Sequence, residues 1–304
     1  MTRSVIAGLD GSPESLAAAD WAAREALRRE LPLRLVHAWQ WQPSDPATTT
    51  DNSAHLDPER HWAERIPREA GATLRARYPG LSVTADQIAA QPVPALLSAA
   101  ENAELLVLGS RGLSSLAGYL VGSVSQAVVA RTTCPVVMVR AARTAADEHL
   151  PEESGSPADD APYRDVVLGL DLVKPSDTLL GFAFEAAAAR SATLRVVHGW
   201  LPPAIYGYSP SAMAPDLSTE LAGQEMNALT AALRPWREKF PAVRVVAESA
   251  IGPAAHHLVE AAGQASLVVV GRRTPRPGPG PHVGSVTHAL LHHSPAPVAV
   301  VPHD

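Results

Sequence analysis

Apolar residues fall along the chain in short, nearly unbroken runs, separated by longer stretches with helical spacing. Runs at 4–9, 33–38, 81–88, 105–108 and 136–139 predict strands. The Ala-, Leu-, Glu- and Arg-rich stretches at 13–30, 58–78, 92–102 and 123–131 predict helices between them. Strands that are apolar throughout, rather than alternating, belong to a parallel sheet covered by helices on both faces. Helix starts are marked at Ser12-Pro13 and at Lys174-Pro175-Ser176, each of which is expected to put a proline in the first turn.

The pattern then begins again. Ser4-Val-Ile-Ala-Gly-Leu-Asp10 returns as Asp165-Val-Val-Leu-Gly-Leu-Asp171, and Leu33-Arg-Leu-Val-His-Ala-Trp39 as Leu194-Arg-Val-Val-His-Gly-Trp200. Leu105-Leu-Val-Leu-Gly109 returns as Leu267-Val-Val-Val-Gly271, Gly122-Ser-Val as Gly284-Ser-Val, and Pro135-Val-Val-Met-Val as Pro297-Val-Ala-Val-Val. The offset is 161 for the early pairs and 162 for the later ones, so one α/β domain occurs twice in tandem. Each copy is a five-stranded, doubly wound unit of roughly 140 residues, a usual domain size. The domains are residues 1–141 and 163–304. Residues 142–162 are an acidic, Pro- and Ser-containing linker expected to be solvated.

Composition narrows the function. The 304 residues carry 25 Lys and Arg against 31 Asp and Glu, a net charge of −6 that argues against nucleic acid or an anionic membrane as the main partner. A single cysteine excludes a disulfide scaffold and a Cys-rich metal site, and fits a reducing compartment, the cytoplasm. The apolar run at the start is cut short by Asp10, unlike a secretion signal, and no run approaches the roughly 18 apolar residues of a membrane span.

The sharpest local feature is Leu108-Gly109-Ser110-Arg111-Gly112, followed after nine residues by Gly122-Ser123-Val124. Glycines between a strand and a helix let backbone approach a ligand and adopt positive φ. Gly122-Ser123 opening a helix offers free amides to an anion. The Ser123 hydroxyl would either cap that helix or bond a phosphate oxygen. With Gly at about 7% of residues, the spacing G-x2-G-x9-G-[ST] is expected by chance only roughly 0.01 times in such a chain. It is neither a Walker loop nor G-x-G-x-x-G. The loops at 40–56 and 201–215 read either as surface insertions or as lids over a ligand.

These residues resemble the universal stress protein family in its tandem form. The resemblance rests on Gly-Leu-Asp10-Gly-Ser, Val-His37-Ala-Trp, the glycine motif and Cys134-Pro-Val-Val-Met-Val, and covers nearly all of both copies. It implies strand order 3-2-1-4-5 and ATP, with Mg2+, at the carboxyl ends of strands one and four, where open α/β sheets take ligands. By the same resemblance, Gly8, Leu9 and Asp10 lie beside adenine and ribose, and Ala38 lies against the base. Leu108, Gly109, Arg111 and Gly112 line ribose and phosphates, while Gly122, Ser123 and Val124 hold the phosphate tail. Asp171, Gly199, Gly271, Arg273, Gly284, Ser285 and Val286 take the corresponding places in the second copy. From the residues alone, Asp10 has an alternative reading as a cap of the next helix, second to adenosine binding, and Arg111 reads equally as a solvated loop charge.

The second motif departs from the first. Thr274 replaces the second glycine, and Pro275, Pro277, Pro279 and Pro281 crowd the loop. A β-branched residue tolerates positive φ poorly and proline lacks an amide donor. Lys174, Arg272, Arg273 and Arg276 are cations that would compensate for the charge of a bound phosphate. The second site is therefore expected to be weaker or altered. His288 and His292 read as solvated or capping residues, Cys134 as core, and no metal site or catalytic constellation stands out. The leading expectation is a nucleotide-binding, stress-associated regulator rather than an enzyme. The alternatives are a slow ATP hydrolase or nucleotidyl enzyme, an assembly module with a structural nucleotide, or another adenine nucleotide such as cyclic AMP. The family's edge strands imply a homodimer.

Overall fold

The computed structural model describes residues 3–39, 58–110, 122–141, 144–151, 161–202, 215–274 and 283–304. They form two compact units, Met1–Ala142 and Arg143–Asp304.

The first unit contains β1 (Ser4–Leu9), α1 (Pro13–Arg28), β2 (Leu33–Ala38), α2 (Pro58–Arg77), β3 (Val83–Ile88), α3 (Pro92–Ala100), β4 (Ala103–Ser110), α4 (Ser123–Arg131) and β5 (Val136–Arg140). Its strands are all parallel in the order β3-β2-β1-β4-β5. The second unit contains β6 (Asp165–Gly169), α5 (Asp177–Ala189), β7 (Leu194–Trp200), α6 (Pro215–Lys239), β8 (Val245–Ile251), α7 (Ala254–Ala261), β9 (Ala265–Arg273), α8 (Ser285–His293) and β10 (Val298–His303). Its order is β8-β7-β6-β9-β10, again parallel. These are the two doubly wound sheets that the sequence pattern and the family resemblance predict.

Successive strand residues face opposite sides of a sheet, and that period locates the helices. A Cβ on Gly109 would point into the first turn of α1, whereas a Cβ on Gly8 would meet Leu108 and Leu96, the latter on α3. Helices α1 and α3 therefore cover opposite faces, and α4 packs beside α3. Strands covered on both sides must be apolar throughout: β1 is buried from Val5 to Leu9, and Trp21 of α1 packs into the same core.

The two copies diverge where the first helix starts. Ser12 caps α1 by accepting a hydrogen bond from the Ser15 amide (3.2 Å), with Pro13 in the first turn, as the sequence predicts. In the second copy Ser176 is the cap, accepting from the Leu179 amide (3.3 Å), and α5 begins at Asp177. Pro175 thus precedes the helix instead of opening it. Two more residues follow Asp171 before the helix cap than the proline pattern implied, and α5 starts further from the sheet edge.

The acidic stretch is not solvated throughout. Thr144 and Asp147 cap each other around a short 3-10 turn at Ala145–Glu148, and His149 pairs with Tyr163 in an antiparallel bridge. Glu148 and His149 are buried, and the His149 ring lies 4.0 Å from that of Tyr163.

Candidate functional site

Parallel pairing of β1 with both β2 and β4 leaves a crevice beyond their carboxyl ends, at the switch in strand order. Asp10 stands at this edge. Its Oδ1 accepts hydrogen bonds from the Ser12 amide (2.9 Å) and the Ser12 hydroxyl (2.5 Å), around a turn made possible by Gly11 at φ +82°. Partial burial pushes the Asp10 carboxyl up, but the bonds from Ser12 and Ser15 outweigh it. The net pKa lies below the usual carboxylate value, so the group stays an anionic acceptor. Asp10 thus shapes the helix entry and also presents charge at the crevice.

The glycines separate into two kinds. A Cβ on Gly109 would come within 2.6 Å of the Glu14 carbonyl carbon and 2.8 Å of the Ser15 amide, so glycine there admits α1 against β4. Gly8 is likewise required by packing, its Cβ position being 2.6 Å from a Leu108 methyl. The side chains of Leu9 and Leu108 belong to the core. Ala38 ends β2 at the crevice.

Gly122 is different. It is the cap of α4 at φ −58° and ψ 147°, an ordinary backbone, and no atom of the described residues lies within 4 Å of its Cβ position. Positive φ, which the motif suggested for its glycines, occurs at neither Gly109 nor Gly122; among the described glycines it is found at Gly11 and Gly252. Ser123 is the first residue of α4, whose cap, Gly122, has no side chain to bond the helix, and Val124 follows it in the first turn. Arg111, Gly112 and the loop at 40–56 lie outside the described residues, as do Arg276 and most of the loop at 201–215.

The second unit has a half-open cavity of about 1060 Å3 at the equivalent edge. Asp171 repeats the turn of Asp10, its Oδ1 accepting from the Val173 amide (2.9 Å), but its Oδ2 is taken by Arg273 Nη2 at 2.5 Å. Strand β9 runs one residue further than β4, so Arg273 is a strand residue paired in register with His303. The His303 imidazole and a Leu179 methyl lie over Gly271, where the first unit has the backbone of α1 over Gly109. Gly199 is covered too, its Cβ position lying 2.5 Å from Ala254 Cα, so it packs α7 against β7. Gly284, at φ −60°, has no atom of the described residues within 4 Å of its Cβ position, like Gly122; Ser285 and Val286 open α8 beside it and line the cavity.

With this geometry in hand, comparisons with known proteins are decisive. The model of the Universal stress protein family matches residues 1–140 and again 162–302. The chain belongs to the universal stress protein family. Universal stress protein Rv2005c of Mycobacterium tuberculosis is 32% identical over 305 residues, spanning 97% of this chain and 96% of the relative. A universal stress protein crystal structure from Archaeoglobus fulgidus DSM 4304 superposes with a TM-score of 0.68 at 17% identity, covering 100% of both chains. A universal stress protein solved in complex with cAMP is 29% identical, with a TM-score of 0.35 over 46% of this chain.

Residues outside the predicted site set position the sheet edge of this tandem universal stress protein. His37 and His198, both 6% exposed, bond through Nδ1 to the Leu9 and Leu170 carbonyls (2.8 and 2.9 Å), tying the end of the second strand to the first. Ser125 and Thr287 donate to the carbonyls of Gly109 and Gly271 (3.2 and 3.1 Å), fixing the start of α4 and α8 against the strand edge. The signal was there: each pair recurs at the repeat offset. Among the described residues no group of three His, Cys, Asp or Glu could hold a metal ion, and no helix is long and apolar enough to cross a membrane. Cys134 is buried, which raises its thiol pKa.

Proposed function

We propose that this universal stress protein binds ATP, as its magnesium complex, at the carboxyl edge of the first sheet, and acts as a nucleotide-responsive regulator. The observation that carries the reading is Gly122. Nothing in its φ or in the packing of the described residues around its Cβ calls for glycine, and it sits at the N-terminal end of α4, whose amides suit phosphate. Asp10, exposed and anionic across the crevice, is the acceptor for ribose hydroxyls. A carboxylate held below its usual pKa is a weak base at neutral pH, which favours binding over hydrolysis. The second site is weaker or altered. A homodimer through edge strands completes the proposal, and light scattering at micromolar concentration checks it: a monomer contradicts it.

Calorimetry with Mg·ATP on the wild type and on Gly122→Val tests the site. The added isopropyl group fills the phosphate space, and a loss of affinity of at least tenfold is expected. Equal affinities contradict the assignment.

A further inference from the structure

The cavity of the second unit is not a faded copy of the first site. Three observations set it apart. The carboxylate that stands exposed at the end of β1 is, at the end of β6, bridged by Arg273 from β9 across the gap between the two strands. Above Gly271 lies the His303 imidazole, on a β10 whose pairing with β9 runs through His303 and Arg273. The lining also brings together Lys174, Arg272 and Arg273 and the His303 ring, beside the carboxylates of Asp171 and Asp304. Arg272 is 3% exposed, and burial lowers the pKa of its guanidinium.

We propose that the second unit selects a polyphosphate chain, free or as the tail of a nucleotide, over a nucleoside, and that Arg273 sets this selectivity by its pairing with Asp171. A nucleoside has no charge to repay separation of the pair. It would have to displace Arg273 before a ribose hydroxyl reached the Asp171 carboxylate. A polyphosphate needs no such displacement, since it meets guanidinium groups, which bind phosphate oxygens in pairs, in a cavity that excludes part of the bulk water. The proposal rests on the reading of Asp10 as the ribose acceptor in the first unit. The ion pair is half exposed on both sides, so its direct energy is small, and the expected shifts are severalfold rather than thousandfold.

The experiment uses the full chain carrying Gly122→Val to block the first site, titrated by calorimetry with inorganic triphosphate and, separately, with adenosine. The expected result is triphosphate binding at least tenfold tighter than adenosine. Adding Arg273→Ala is expected to weaken triphosphate at least threefold and to strengthen adenosine at least threefold, because the Asp171 carboxylate is released. Arg273→Lys, which keeps the charge, should hold triphosphate nearer the parent value, and unchanged circular dichroism confirms that each variant folds. Adenosine bound as tightly as triphosphate, or a loss of both ligands together on Arg273→Ala, overturns the proposal. The first-unit reading fails separately, if Gly122→Val leaves the wild-type affinity for ATP intact. The comparison of Arg273→Ala with its own parent still stands in that case.

Discussion

The carboxyl edges of the two sheets start from the same residues and end in different electrostatic states. In the first unit Asp10 is held by the neighbouring Ser12 and keeps an exposed charge, while α1 closes over Gly109 with backbone. In the second, Asp171 is paired with Arg273, 102 residues away, and Gly271 is covered by side chains. The lesson is that a duplicated fold preserves the crevice and not its contents. The crevice follows from strand order, whereas the charge within it depends on two or three side chains and on where one helix begins.

The contrast breaks most visibly at the paired glycines. Gly109→Ala drives a methyl into backbone that cannot swing away, and a cost of about 1–3 kcal/mol is expected. Gly271→Ala meets the far end of the His303 ring and a Leu179 methyl, which can turn aside, so a smaller cost is expected. Urea unfolding of both variants checks the ranking; a Gly271→Ala cost equal to that of Gly109→Ala would mean that the second crevice is as closed by backbone as the first.

A smaller effect separates the two helix caps. Ser12→Ala and Ser176→Ala each remove a cap worth about 1 kcal/mol. Only Ser12 also bonds the adjacent carboxylate. Because Asp10 has a folded pKa below its unfolded value near 3.8, its contribution is fully present above that value and is lost as pH falls through the folded pKa. The cost of Ser12→Ala should therefore shrink as pH drops below 3.8, whereas that of Ser176→Ala, whose hydroxyl accepts from the Leu179 amide, should not follow the Asp10 carboxyl. Thermal melts of both variants across this range decide it, and parallel pH profiles would contradict the account. The least effect belongs to Arg273→Ala on stability alone: an exposed ion pair contributes about 0–1 kcal/mol, so the melting temperature should hardly move even as ligand preference changes.

What was legible in the sequence is what repeats or is periodic. The apolar runs gave the strands to within two residues: β3 begins at Val83 where the pattern placed 81, and β4 at Ala103 where it placed 105. The repeat offset located Asp171, Gly271 and Gly284 opposite their partners. Pro175 misled because a proline preceding a serine fits either the first turn or the approach to a cap, and nothing local chooses between them. The glycines misled because their types are visible and their reasons are not: backbone contact at Gly109, open space at Gly122, and left-handed φ at Gly11, outside the motif. The Arg273–Asp171 pair was out of reach, since the pairing of two distant charges is fixed by the sheet and not by spacing along the chain.

The central claim is that the two crevices differ in kind, and a three-way ATP titration tests it most directly. Wild type, Gly122→Val and Gly284→Val are compared by calorimetry with Mg·ATP, reading stoichiometry and affinity together. The account predicts that the tighter binding event disappears in Gly122→Val and persists in Gly284→Val. Two equivalent sites in the wild type, or loss of the tighter event in Gly284→Val alone, would contradict it.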